Sequence, residues 1–419
     1  MTTFDVDGAA GLTGSNTDLL RDRFSRGRVA RALVSRMLAG LPVRVRLPDG
    51  AILGGGHTDS PMLDLHQPEA LFRRLEAHPK IGLGEAYMAG EWGAAPGTDL
   101  ADALSPFAAR LAVLLPKPIQ RLRGIVELAL PIVQRNTPEG SRANIAAHYD
   151  LSNDLFTHFL DPSMSYSSAL FDPATPWPRQ SLEEAQHRKI DAVLDAARVG
   201  SRTRLLEIGT GWGELALRAA RRGAHVTTIT LSSEQADLAT ERVWAAGLGD
   251  RVEIRLQDYR AVAGEFDAVV SVEMIEAVGE EYWPTCFGAI DRLLAPGGVA
   301  CIQAILMSHD RFLATRNSYG WIQKYIFPGG LIPSLTALRE VTAAHTTLRM
   351  TNVHAFGPHY AETLHRWRAS FEVNWSAIAA VGFDERFRRM WEFYLAYCEA
   401  GFRTGYLDVA HVTLARPHD

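Results

Sequence analysis

The first 135 residues contain short, separate runs of regularly spaced apolar positions. Leu19–Leu38 has apolar residues roughly on one helical face with arginines between them, which predicts an amphipathic helix. Further elements are predicted as two short strands joined by a Pro-Asp-Gly turn at Val43–Leu47 and Ala51–Leu53, and as helices over Pro68–Ala77 and 100–135. We therefore expect a small N-terminal domain over residues 1–135.

From about residue 181 helical and strand patterns alternate. Buried strands are predicted at Arg204–Ile208, His225–Thr230, Val252–Leu256, Phe266–Val272 and Val299–Ile305, with late strands at Leu348–His354 and Leu407–Ala415. Helices are predicted over 182–198, after Trp212, over 234–246 and over 280–294. This order predicts an α/β fold of the Rossmann-like type, a doubly wound and mostly parallel seven-stranded sheet with an antiparallel finish. Residues 181–419 would form this catalytic domain, and residues 136–180 a linker and lid segment.

Composition narrows the class of protein. The 419 residues are 47% hydrophobic and 22% charged, which suits a folded core and excludes wholesale disorder. The net charge of −5 argues against nucleic acid as a partner. Cys286, Cys301 and Cys398 show no CxxC spacing, and we expect no metal site and a reducing, cytoplasmic setting. No signal peptide and no membrane-spanning apolar run are visible in the sequence.

A glycine-rich loop follows the first strand of the alternating region. Its candidate binding residues are Glu207, Gly209, Thr210, Gly211 and Gly213. Glycines let the backbone approach a ligand, and the following helix offers free N–H groups to an anion. The GxGxG spacing differs from the dinucleotide and ATP loops, and it resembles the S-adenosylmethionine loop of Rossmann-like methyltransferases. The alternative is a turn that merely connects a strand to a helix.

Polar residues also follow the next two strands. Thr230 and Gln235 are candidates for hydrogen bonds to a ribose, although Ser232 or Ser233 could simply cap the next helix. Asp258 and Tyr259 are candidates for the adenine amine and the adenine ring.

Several ordered segments together resemble the cyclopropane-fatty-acyl-phospholipid synthase family, which includes the mycolic acid cyclopropane synthases. The match runs from about residue 140 to the C-terminus, and the Gly84–Trp92 segment is similar to the N-terminal domain of phospholipid-acting members. The segments are His148–Phe156, Leu160–Pro162, Ser165–Ala169, the glycine loop, Thr230–Gln235, Ser271–Glu276 and Trp321–Pro328.

The resemblance implies a reaction and a site. The alkene of an acyl chain attacks the methyl of S-adenosylmethionine, a carbocation forms, and a bound bicarbonate removes a proton. Tyr166 and Ser167 match the residues that lie against the cofactor. Glu276 and Tyr325 match side chains around the bicarbonate, and Ile305 is assigned to the backbone groups there.

Two positions depart from the family pattern. Ser168 stands where the family has Cys, and Gln303 stands where it has His. Gln303 can donate an N–H bond but carries no charge, so the base could sit differently or be another group. Proton loss from the transferred methyl closes a cyclopropane, whereas a hydride shift before proton loss gives an exocyclic methylene. The serine resembles the tuberculostearic branch, which makes 10-methyl fatty acids by the second route.

An acyl substrate in a membrane implies a docking surface. The arginine-rich Arg21–Arg46 region and the 109–135 stretch are candidates for contact with anionic phospholipid at the inner face of the membrane, or they form a solvated charged face. Saturating a methylene product would require a partner reductase, and homo-oligomerisation stays open. Two other hypotheses are a methyltransferase for a small polar acceptor and a non-catalytic lipid-binding homologue.

Overall fold

The computed structural model describes residues 38, 40–111, 137, 140 and 153–417. Three features singled out in the sequence lie wholly or mostly outside these residues: the helix over Leu19–Leu38, most of the stretch 109–135, and the His148-Tyr149-Asp150 segment.

The N-terminal region is built on a small sheet. Its strands lie in the order β2-β1-β3-β4, and β1 pairs with β3 in parallel. The strands are Arg44–Arg46 (β1), Ile52–Leu53 (β2), Met62–Leu65 (β3) and Trp92–Ala94 (β4), and the helices are Pro68–Ala77 (α1), Pro79–Met88 (α2) and Leu100–Leu111 (α3). The predicted turn and the helix over Pro68–Ala77 are confirmed.

The C-terminal region contains a seven-stranded sheet. Its strands are Arg204–Ile208 (β5), His225–Thr230 (β6), Val252–Leu256 (β7), Phe266–Val272 (β8), Leu294–Met307 (β9), Arg349–Ala355 (β10) and Leu407–Ala415 (β11). They lie in the order β10-β11-β9-β8-β5-β6-β7. The pairs from β9 to β7 are parallel, whereas β11 runs antiparallel to both β9 and β10. The predicted Rossmann-like fold and its antiparallel finish are confirmed.

Helices cover both faces of this sheet. They are Asn153–Phe159 (α4), Leu182–Ala196 (α5), Glu214–Arg221 (α6), Ser233–Ala245 (α7), Trp283–Leu293 (α8), His309–Thr315 (α9), Trp321–Tyr325 (α10), Leu335–His345 (α11), Gly357–Val373 (α12), Trp375–Ala380 (α13) and Glu385–Arg403 (α14). The helix predicted over 280–294 is instead a short 3₁₀ turn, Glu280–Tyr282, followed by α8, because Pro284 suits only the first turn of a new helix.

One hydrophobic core joins the N-terminal region to the end of the chain. The Tyr87 and Trp92 rings pack against Phe393 of α14, with ring centroids 5.4 and 6.0 Å away. Arg389 of the same helix donates from Nε to the Tyr87 carbonyl at 2.6 Å. The long C-terminal helices are therefore shared between the two sheets.

Across the described residues, no helix is both long and apolar enough to cross a bilayer. The same residues contain no cluster of three or more His, Cys, Asp or Glu side chains that could hold a metal ion.

Candidate active site

A cavity opens at the carboxyl ends of strands β5, β6 and β8. In a doubly wound sheet this edge is where ligands bind, since the strand order reverses there. Ten of the eleven residues predicted to bind the cofactor line it: Tyr166, Ser167, Glu207, Gly209, Thr210, Gly211, Thr230, Gln235, Asp258 and Tyr259.

The glycine loop adopts the left-handed backbone that its sequence favours. Gly209 has φ +100° and Gly211 has φ +52°, and no atom would come closer than 3.9 Å to a Cβ on Gly209. These two glycines are therefore needed for the backbone conformation, and the space beside them is left to a ligand.

Gly213 is not among the residues that line the cavity, and its assignment to cofactor binding stays a prediction. It precedes helix α6 with φ +90°, and a Cβ there would lie 3.1 Å from the Cβ of Ala239 in α7. Its role is to let two helices approach, because a larger residue would push them apart.

The residues after β6 contact one another. Thr230 donates from its hydroxyl to Gln235 Oε1 at 2.9 Å, and both line the cavity. Ser232 caps helix α7 by accepting from the Gln235 backbone N–H at 3.2 Å, which confirms the capping interpretation for this serine.

Asp258 and Tyr259 lie at the far end of the cavity. Arg260 donates to both Asp258 carboxylate oxygens, at 2.8 and 2.7 Å, and its guanidinium lies 5.3 Å from the centroid of the Tyr259 ring. The Asp258 carboxylate therefore already has a charged partner, and its role towards an adenine stays a prediction.

Glu207 ends a buried strand beside the cavity. Its side chain is 3% exposed, and Oε2 has no hydrogen-bond partner among the described residues. Burial raises the pKa of Glu207 to about 8, although the Thr228 hydroxyl and the nearby Lys189 ammonium favour the charged form.

The Tyr166–Ser168 segment forms another wall and is held from below by helix α5. Gln186 donates from Nε2 to the Ser167 carbonyl at 2.8 Å, and Lys189 donates from Nζ to the Ser167 hydroxyl at 2.6 Å. The Tyr166 and Tyr394 hydroxyls share a hydrogen bond of 2.9 Å. Buried polar side chains therefore fix this wall.

Glu273 is the centre of a second group of residues beside the cavity. Its Oε1 accepts from the Ser168 backbone N–H at 2.9 Å and from Gln303 Nε2 at 2.7 Å, and its Oε2 accepts from the Tyr360 hydroxyl at 2.7 Å. The residue holds φ +50°, a strained conformation for a side chain other than glycine.

Gln303 connects this group to strand β11. Because its amide nitrogen donates to Glu273, its oxygen faces His411, whose Nε2 lies 2.9 Å away. Burial lowers the pKa of His411 to about 3, so the imidazole is neutral and donates this hydrogen bond.

Glu276 lies three residues after Glu273. Its Oε1 accepts from the Ile305 backbone N–H at 2.5 Å, while its buried Oε2 has no partner in the described ranges. Burial, and then repulsion from Glu273, raise the pKa of Glu276 to about 8. Near neutral pH Glu276 therefore favours its protonated form. Burial raises the pKa of Glu273 as well, but its three hydrogen-bond donors favour the charged form, which makes Glu273 the better candidate for the carboxylate.

Tyr325 is bonded elsewhere. Its hydroxyl donates to Glu85 of α2 at 2.7 Å, and Lys324 donates to the same Glu85 oxygen at 2.6 Å. Hydrogen bonds link Ser168 and Gln303 to Glu273, and separately link Ile305 to Glu276. Tyr325 is paired with the N-terminal region instead.

The sequence reasoning missed four residues of this site: Lys189, Glu273, Tyr360 and His411. Only Glu273 had a usable signal, because an acid directly after a buried parallel strand lies at the ligand-binding edge. Tyr360 and His411 reach the site from distant parts of the chain, so no local spacing marks them.

Comparisons with known proteins agree with this geometry. Residues 136–412 match the family described as mycolic acid cyclopropane synthetase. The chain is 50% identical over 393 residues to the tuberculostearic acid methyltransferase of Mycobacterium tuberculosis, covering 93% of this chain and 91% of that protein. It is 34% identical over 403 residues to the cyclopropane-fatty-acyl-phospholipid synthase of Escherichia coli, with 93% of each chain covered.

Solved structures place the catalytic fold in the same group. A mycolic acid cyclopropane synthase complexed with S-adenosylhomocysteine superposes with a TM-score of 0.59 and 32% identity, covering 65% of this chain and 97% of that one. Coclaurine N-methyltransferase superposes with a TM-score of 0.60 at 15% identity over 80% of this chain and 99% of that one, and shows the fold alone. The chain therefore belongs to the mycolic acid cyclopropane synthetase family and is an S-adenosylmethionine-dependent methyltransferase.

Proposed function

We propose that this enzyme methylates the double bond of an unsaturated fatty acyl chain in a membrane phospholipid and releases a methylene-branched chain, the precursor of a 10-methyl fatty acid. The observation that carries the proposal is the Glu273 carboxylate, which occupies two of the donors that the family resemblance assigns to bicarbonate. The identity of 50% to a tuberculostearic acid methyltransferase supports the same product.

The residues do not fit a bicarbonate ion. Four of the donors assigned to it already serve carboxyl groups of the chain, and Glu276, whose Oε2 has no partner among the described residues, is the exception. Ser168 N–H and Gln303 Nε2 donate to Glu273, the Ile305 N–H donates to Glu276, and the Tyr325 hydroxyl donates to Glu85. A further anion would also lie against Glu273 and pay a large cost of like-charge repulsion. We therefore route no step through bicarbonate.

The cofactor supplies an electrophilic methyl group. The loop residues Gly209 and Gly211 and the wall residues Tyr166 and Ser167 would hold it in the cavity, with Glu207 beside them. The π electrons of the alkene form a bond to this methyl carbon as the bond from carbon to sulfur breaks. The positive charge passes to the neighbouring chain carbon.

Glu273 is the base in this proposal. A hydride shift moves the positive charge to the carbon that carries the new methyl, and the Glu273 carboxylate then takes a proton from that methyl to leave an exocyclic methylene. Gln303, Ser168 and Tyr360 hold this carboxylate in place and favour its charged form. Glu276, neutral near pH 7, adds no second charge.

The later saturation of the methylene needs a hydride donor, and we assign that step to a partner reductase. Contact with the inner face of the membrane would let the acyl chain reach the site without crossing water, which costs about 0.8 kcal/mol for each exposed CH₂. The two candidate docking stretches lie largely outside the described residues.

The test is mass spectrometry of acyl chains after incubation of the protein with S-adenosylmethionine and vesicles of oleoyl phospholipid, in buffer freed of bicarbonate. We expect a gain of one CH₂ unit as an exocyclic methylene. A cyclopropane product would contradict the proposed hydride shift, and a gain that requires added bicarbonate would contradict Glu273 as the base. Vesicle binding without a mass gain would favour a lipid-binding homologue, and methylation of small polar amines alone would favour a different acceptor.

A further inference from the structure

Lys189 is a buried cation whose role the family resemblance does not supply. It lies on helix α5, is 2% exposed, and lines the cavity beside Ser167 and Glu207. Burial of a lysine ammonium is costly unless a counter-charge compensates it.

The described residues satisfy this ammonium only in part. An ammonium has three donors, and the structure gives one partner, the Ser167 hydroxyl at 2.6 Å. No carboxylate of the described residues forms an ion pair with Lys189 within 4.0 Å. Glu273, Asp161 and Glu207 act on it from farther away and favour its charged form.

Glu207, which lines the same cavity, also lacks a hydrogen-bond partner among the described residues for one of its polar atoms. Its Oε2 is buried and has no hydrogen-bond partner in the described part of the chain. The cavity therefore presents one incompletely paired cation and one incompletely paired carboxyl group, whose charged form a bound ammonium would favour. A ligand with a carboxylate and an ammonium at one end would satisfy both, and the amino-acid end of S-adenosylmethionine is such a group.

We propose that Lys189 binds the methionine carboxylate of S-adenosylmethionine and S-adenosylhomocysteine, together with the Ser167 hydroxyl, while Glu207 binds the adjacent ammonium. The helix α5 that bears Lys189 also holds the Ser167 carbonyl through Gln186. The charge that recognises the cofactor and the wall that encloses it are therefore carried by one helix.

The test is calorimetric binding of two ligands to the wild type and to Lys189→Met. One ligand is S-adenosylhomocysteine, and the other is its decarboxylated analogue, which keeps the ammonium. We expect Lys189→Met to weaken S-adenosylhomocysteine binding by about 10- to 100-fold, the range for a lost hydrogen bond to a charged group, and to leave the analogue unchanged. Equal losses for both ligands, or no loss for either, would overturn the proposal.

Two controls keep this test interpretable. Lys80→Met makes the same chemical change at an exposed position of α2 and should leave both affinities unchanged. Lys189→Gln keeps two uncharged N–H donors and should give an intermediate loss for S-adenosylhomocysteine alone. Circular dichroism establishes that each variant is folded.

A measurement on the wild type covers the case in which both variants at Lys189 fail to fold. Burial lowers the pKa of Lys189 to about 8, so at pH 9 the free protein has lost much of this proton. A bound carboxylate should restore it. Calorimetry in two buffers of different ionisation enthalpy should therefore show that more protons are taken up when S-adenosylhomocysteine binds than when its decarboxylated analogue binds. Equal uptake for the two ligands would refute the assignment.

Discussion

The two halves of the site are built in different ways. The cofactor half is backbone and short side chains at successive strand ends, from Gly209 to Thr230 and Asp258, in the order of the sequence. The acceptor half is a side-chain network around Glu273, which draws Ser168, Gln303, Tyr360 and His411 from separate elements. The first half depends on local conformation, whereas the second depends on the whole sheet being assembled correctly.

The largest effect should come from Glu273→Gln. Removing the proposed base should lower the rate of methyl transfer by about 10²- to 10⁴-fold, the usual contribution of general base catalysis. Binding of S-adenosylhomocysteine should fall far less than the rate, because Glu273 acts on Lys189 of the cofactor half only from a distance. Product formation on oleoyl vesicles and calorimetry measure the two quantities.

Glu340→Gln, the same change on the exposed face of α11, is the matched control and should be fully active. A Glu273→Gln variant that keeps wild-type turnover would remove Glu273 from the mechanism.

Gly213→Ala tests the backbone half. The side chain would have to adopt φ +90° and lie 3.1 Å from Ala239, so we expect a loss of about 1–3 kcal/mol in the free energy of unfolding. Gly247→Ala also requires a positive φ, of +68°, but meets no atom within 4 Å, and should cost less. Thermal unfolding of both variants measures the difference. Equal losses for the two variants would mean that the positive φ alone, without the contact to Ala239, accounts for the need for glycine at position 213.

Gln303→Met should reduce turnover near neutral pH by about 10-fold, as expected for one lost hydrogen bond to a charged group. The amide N–H favours the ionised form of Glu273, so its loss raises the pKa of that carboxyl. A base works ionised, and activity therefore rises with pH through its pKa. The acid limb of the pH–rate profile should move to higher pH in this variant. An acid limb that stays at the wild-type pH would contradict the proposed effect of Gln303 on the pKa of Glu273.

Glu276→Gln should have the smallest effect on rate. Glu276 has a pKa of about 8 and is neutral at pH 7, so glutamine resembles the form already present. We expect a rate within about 10-fold of the wild type at pH 7, because any loss is confined to one uncharged contact. A loss as large as that of Glu273→Gln would assign the base to Glu276 instead.

The sequence predicts the cofactor half of the site better than the acceptor half. The strand from Arg204 to Ile208 was predicted with its observed bounds, and the glycine loop that follows it carries a spacing that can be recognised without a structure. Such features are local, because hydrophobic periodicity and turn chemistry act over a few residues.

The acceptor half was predicted less well for a physical reason. Ser168, Gln303, Glu276 and Tyr325 came from the family resemblance, and Glu273 was not singled out. Hydrogen bonds join Ser168 and Gln303 to Glu273, whereas Glu276 bonds to Ile305 and Tyr325 bonds to Glu85. Their partners depend on how far strands and helices lie from one another after folding. Nothing in the spacing of Tyr360 or His411 reports such a distance.

The core shared by Tyr87, Trp92 and Phe393 has a consequence for dissecting this enzyme. A protein trimmed to residues 181–419 would leave α14 with the aromatic face that Tyr87 and Trp92 cover exposed to water. Each large aromatic side chain buries roughly 150–250 Å². Because that apolar surface would be exposed, such a fragment should aggregate and be poorly soluble even though its seven-stranded sheet is intact. The segment that contains Tyr87 and Trp92 thus serves as a folding partner that the catalytic sheet carries on the same chain.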